Sequence, residues 1–160
     1  MNGRRAAGAL RVATVACGFA LACPHAAAVL GGSAATIEAD RASLDARHRV
    51  TTSSSMAASV HELRSADGSV VKEYAGPDGI VFALRWSTRF KPRLDPLLGA
   101  EAASYRDALA RAAVRPGIRH ALVLQQDDLV VQSGMHLTTH VGIAYLRSRL
   151  PSGIRPDDLR

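Results

Sequence analysis

Two Asp-Gly pairs, Asp67-Gly68 and Asp78-Gly79, stand eleven residues apart in the middle of this chain. Asp-Gly is a hairpin-turn dipeptide, because glycine reaches positive φ without strain and aspartate bonds its own local backbone. Two such turns at this spacing leave room for one strand between them and one on either side. The segments AASVHELR (57–64), SVVKEYA (69–75) and IVFALRWS (80–87) have strand length and are rich in β-branched and aromatic residues. They predict a three-stranded antiparallel meander.

Turn type decides the register. A two-residue loop at Asp67-Gly68 sets Glu62 opposite Glu73. A three-residue loop, with Gly68 as a left-handed bulge, sets Glu62 opposite Lys72 and Val60 opposite Tyr74. Opposite charges across a pair are favoured over like charges by a few tenths to about 1 kcal/mol, so the second register is predicted. GPDG (76–79) repeats the pattern, with Pro77 at the second turn position and Gly79 as the bulge. It is expected to set Tyr74 beside Phe82 and Val70 beside Trp86. One face would then carry Val60, Val70, Tyr74, Phe82, Leu84 and Trp86.

The period changes in LDPLLGAEAASYRDALARAAVRPG (94–117). Leu98, Ala102, Tyr105, Leu109 and Ala112 recur at helical spacing, with Arg106 and Arg111 on the other side. Asp95 is the expected N-cap, Gly99 weakens the first turn, and Pro116-Gly117 ends the helix. Strands return in RHALVLQQ (119–126), LVVQSG (129–134) and MHLTTHVGIAYLRS (135–148). Residues 126–128 form the expected hairpin loop, with Gly134 a bulge or turn. The expectation is a single α+β domain over residues 58–150, an antiparallel sheet in the order βββ-α-βββ with one main helix packed on it. Residues 29–57 read as a flexible polar lead, with at most a helical turn over 37–49. Residues 151–160 read as an irregular tail.

The first residues carry Arg4, Arg5 and Arg11, then an apolar run over 12–23, then small residues. That run is too short to span a bilayer. The order is that of a secretory signal peptide over residues 1–28, cleaved after Ala26-Ala27-Ala28 to leave Val29 first. Periplasmic or secreted localisation follows. The alternative is a lipid on Cys23, since ALAC (20–23) approximates a lipobox, giving a membrane-anchored lipoprotein. Both cysteines, Cys17 and Cys23, precede Val29, so the exported chain would have no disulfide and no thiol chemistry. Removing three arginines and no acid takes the net charge from +6 to 6 − 3 = +3. The remaining basic residues are scattered, which argues against nucleic acid as a partner.

The small residues before LGG (30–32), then DGSVVKEYAGPDGIVFALRW (67–86), LLG (97–99), LVVQSGMH (129–136) and LPSGI (150–154) together resemble the domain of unknown function 2844 family. These are uncharacterised exported proteobacterial proteins. The resemblance covers most of the chain after residue 28. It implies an envelope protein and supplies no catalytic or binding residues.

Among candidate sites, His136 and His140 are four apart. On a strand their side chains would share a face roughly 13 Å apart, at about 3.3 Å per residue. One zinc ion, with bonds of about 2 Å, cannot bridge that distance. Ser133-Gly134 lies between strands and lacks the elbow of a serine hydrolase. The pairs Asp127-Asp128 and Asp157-Asp158 offer too few ligands for calcium and read as turn residues. Tyr74 and Trp86 could stack on sugars, but their strand positions suit the core better. No cofactor or metal is expected. Two readings stand. The leading one is a non-catalytic envelope module binding an envelope protein or polymer through a sheet face or edge. The alternative is a hydrolase or other enzyme acting on envelope polymers, with His136 or His61 as acid/base.

Overall fold

The computed structural model describes residues 29–37, 46–53, 57–112 and 121–159. Seven strands form one antiparallel sheet: β1 (Ala46–Ser53), β2 (Ala58–Ser65), β3 (Val70–Ala75), β4 (Val81–Thr88), β5 (Ala121–Gln126), β6 (Leu129–His136) and β7 (Thr139–Leu146). Their order across the sheet is β1-β2-β3-β4-β7-β6-β5. Helices α1 (Leu94–Leu98) and α2 (Ala102–Ala112) connect the two halves. The architecture is α+β with the helix packed on the sheet. The element order corrects the expected one, with four strands before the helix instead of three. The additional strand is β1, whose ARHRVTTS lacks the apolar alternation that marks a strand and pairs along its whole length with β2.

The Asp67-Gly68 turn forms as the charge argument requires, and the glycines of both Asp-Gly turns are left-handed. Glu62 stands opposite Lys72 and Val60 opposite Tyr74, and Gly68 and Gly79 take φ of 85° and 72°. Lys72 Nζ lies 3.9 Å from Glu62 Oε2. The β3–β4 register departs from expectation. Tyr74 pairs with Ala83 and Ala75 with Val81, which leaves Phe82 as an extra residue. This β-bulge puts Phe82 and Ala83 on the same face and restores alternation from there on. Val70 therefore faces Ser87, Val71 faces Trp86, and Leu84 and Trp86 move to the face opposite Tyr74.

Both faces of the sheet's centre are consequently covered. On one, Leu63, Val71, Leu84, Trp86 and Val131 pack under α1 and α2, with Leu30 and Ile37 joining from the chain ahead of β1. On the other, Tyr74, Phe82, Val130, Ile143 and Tyr145 pack under Leu150, Ile154 and the fully buried Leu159. The Tyr74 and Phe82 rings lie 6.4 Å apart. Arg85 Nη1 donates to the Leu159 carbonyl at 2.7 Å, which fastens the last turn to this face.

Asp95 is not the N-cap: α1 begins at Leu94 after Arg93, which makes no side-chain capping bond. Gly99, at φ 51°, separates α1 from α2. Ala102 and Ala108 are buried, Tyr105 and Leu109 pack partly buried against the core, and Arg106 and Arg111 face water. The expected stop at Pro116-Gly117 lies outside the described residues. HLTTH is not one strand but a hairpin. Leu137-Thr138 form its turn, with His136 opposite Thr139 and Met135 opposite His140. Gly134 sits in regular pairing with Ala121 and Val141, not in a bulge.

Candidate functional site

Three places on this fold gather chemistry. The first is on β2 and β3. Ser59 Oγ and His61 Nε2 lie 3.1 Å apart. The same register that pairs Glu62 with Lys72 places Glu73 directly across from His61. Side chains two apart on a strand share a face, and opposed residues bring their Cβ atoms within about 5 Å. A hydroxyl, an imidazole and a carboxylate thus stand together, with the Glu73 side chain fully buried and His61 partly so. The elements of this grouping were legible once the register was derived, because Glu73 opposite His61 follows from it.

The second is a cleft of about 510 Å³ between the chain ahead of β1, the α1–α2 junction and the exit of β7. Leu30, Gly32, Glu101, Asp128, Ser148 and Arg149 line it. Its acidic wall is already engaged. Asp128 accepts from the Ser148 amide at 2.8 Å and from its hydroxyl at 2.6 Å. Desolvation works to raise the Asp128 carboxyl, but the Ser148 bonds, with Arg147 and Arg149 beyond them, outweigh it and hold the group below the usual carboxylate value. Asp127 holds Arg147 through its carbonyl and Gln126 through its carboxylate. Asp158 accepts from the Arg155 amide at 2.9 Å, closing the final turn. Asp127, Asp128 and Asp158 are therefore turn clamps.

The third is the opposite end of the sheet, where the β2–β3 turn, the chain leaving β4 and the β6–β7 turn meet. Phe90, Met135 and Leu137 are 67%, 55% and 86% exposed there. Arg89 and Lys91 flank Phe90, and the Arg89 guanidinium lies 5.8 Å from the Phe90 ring centre. Asp67, in the same end, is occupied by the Ser69 amide and hydroxyl, both at 2.9 Å, and these bonds lower its carboxyl from the usual value. Sequence reading missed this end. The RFKPR run (89–93) carried a signal, an aromatic among cations, whereas Leu137 became visible only with the hairpin.

His136 and His140 fall on opposite faces of the hairpin, because each pairs with a different partner row. Trp86 and Tyr74 are 2% and 0% exposed, which removes them as sugar platforms. Ser133 lies inside β6, opposite Gly142. His120 lies outside the described residues. Among the described residues, no group of three metal-ligating side chains could hold an ion, and no helix is long and apolar enough to cross a membrane.

Neither a curated protein nor a solved structure matches the chain. A family model does, over residues 26–159. That span takes in Leu30–Gly32, the bulged meander, the α1 segment, the β6–β7 hairpin and the closing tail, all the parts whose order the sequence resemblance rested on. The chain belongs to the family described as a protein of unknown function, DUF2844.

Proposed function

We propose that this protein is an exported envelope component, periplasmic or secreted, that works as a non-catalytic binding module through the β4–β6–β7 end of its sheet. The observation that carries the reading is the exposure of Phe90, Met135 and Leu137 at one end of a sheet whose centre is covered on both faces, while the other exposed large apolar side chains among the described residues, Val50 and Val123, stand apart on the two edge strands. Exposed apolar side chains are ordinary when scattered, but a cluster of large ones rimmed by charge marks an interaction site. The export signal read from residues 1–28 supports the compartment.

A hydrolase reading draws on Ser59, His61 and Glu73. It meets a structural obstacle. Acyl transfer needs preorganised N–H donors around the developing oxyanion. β2 is paired on both sides, Ser59 with Thr52 of β1 and Ala75 of β3, so the amides around Ser59 are committed to the ladder. The grouping reads better as a polar insert in the sheet face than as a reactive centre.

The test places a photo-crosslinking residue at Leu137 or, as a control, at Arg111 in cells of the native host. Adducts at position 137 and none at 111 are expected. Adducts at neither position, together with labelling of Ser59 by a fluorophosphonate that is lost in His61→Ala, would replace the binding reading with the hydrolase.

A further inference from the structure

We propose that the Phe90/Met135/Leu137 end docks on an anionic lipid surface, with the three apolar side chains at the headgroup boundary and Arg89, Lys91 and Arg93 against lipid phosphates. The inference rests on the binding-module reading and names the partner of that surface.

The shape of this end argues for a membrane. The three apolar side chains stand on two projections, Phe90 beyond the end of β4, and Leu137 in the β6–β7 turn with Met135 just behind it. Convex tips suit a lipid boundary that closes around each of them, as interfacial apolar residues do.

The backbone adds a second observation. Leu137 takes φ 56°, a conformation that L side chains rarely adopt because the Cβ crowds the neighbouring carbonyl. Glycine or asparagine would serve this turn without strain. Instead the position holds a leucine that is 86% exposed, so burial within the fold does not offset the strain. Insertion into an apolar phase would.

Charge is the third. Lys91 and Arg93 make no ion pair among the described residues, and Asp67 is held by Ser69. At the far end of the sheet Arg149 lies 3.8 Å from Asp78, and Arg147 donates to the Asp127 carbonyl. Lys91 and Arg93 are thus available where the sheet meets the proposed surface. Basic residues beside a lipid surface are attracted by its negative potential over about one Debye length.

The test is co-sedimentation of purified protein with vesicles of phosphatidylethanolamine and phosphatidylglycerol, against vesicles of phosphatidylcholine alone. Binding to the anionic vesicles alone, weakened by added salt, is expected. Leu137→Gly with Phe90→Ser should lower it about tenfold or more, as should Arg89→Gln with Lys91→Gln. Leu137→Gly alone relieves the positive φ, so it should weaken binding without lowering the melting temperature, which separates lost docking from lost folding. Equal binding to both vesicles, binding to neither, or binding indifferent to these substitutions overturns the inference. If vesicle binding fails while the crosslinker at position 137 still captures an envelope protein, only the lipid assignment falls. If both fail, the binding-module reading falls with it.

Discussion

Gly142 shows how much one residue holds in this sheet. It stands across from Trp86, and a Cβ built there would lie 2.2 Å from the indole Cζ2 and 2.5 Å from the Gln132 carbonyl oxygen. The indole lies over β7 only because position 142 has no side chain. Gly142→Ala should cost about 1–3 kcal/mol, the usual range for overpacking a filled core, measured by chemical denaturation. Asp128 supplies a pH signature. Its carboxyl is lowered in the fold from 3.8, so its contribution is present above that value and is lost as pH falls through the folded value. The stability difference between the parent and Asp128→Asn should therefore be present near neutrality and shrink below about pH 3.8 in acid titrations of unfolding. At this scale the sequence was informative where charge forced a choice, as at Glu62 and Lys72. It was silent where a contact depended on the neighbour of a neighbour, as at Trp86 and Gly142.

The elements depart from their sequence signatures in three places, each for a physical reason. The bulge at Phe82 arises within an apolar run, VFAL, that reads the same on either face because both faces are buried. β1 carries arginines and threonines because it is an edge strand, where charge discourages further pairing. The β6–β7 turn contains no glycine, asparagine or proline, so HLTTH gave no turn signal. The helical region was legible because its period is long and its apolar positions are few. Leu98 is fully buried, whereas Arg106 is held only by an exposed contact with Asp95 at 3.6 Å and a bond to its own helix. Leu98→Ala should cost about 2–5 kcal/mol. Arg106→Ala should cost under about 0.5 kcal/mol, as surface changes do. Comparable losses in urea titrations would refute the burial of α1 in the core against the exposure of Arg106 on α2.

Across the whole molecule, the sheet is a layer between two unequal covers. Helices α1 and α2, with Leu30 and Ile37, lie on one face, and among the described residues the 150–159 segment lies on the other. A polar tail of this kind gave no sign in the sequence of lying over a core, because its apolar residues Leu150, Ile154 and Leu159 are widely spaced. The thin cover has a consequence for stability. A buried leucine in a core helix cannot leave without unfolding its surroundings, whereas a terminal segment can detach by itself. The cost of disrupting Leu159 is then bounded by the free energy of docking the tail. Leu159→Asp, which places a charge among Tyr145, Phe82 and Val130, should release the tail entirely. It should therefore lower stability by the same amount as deleting residues 151–160, and both should expose Tyr145 and raise binding of an apolar dye. A larger loss in Leu159→Asp than in the deletion would mean that the charge stays buried and the tail is an integral layer. No loss in either would mean that this face of the sheet is stable uncovered.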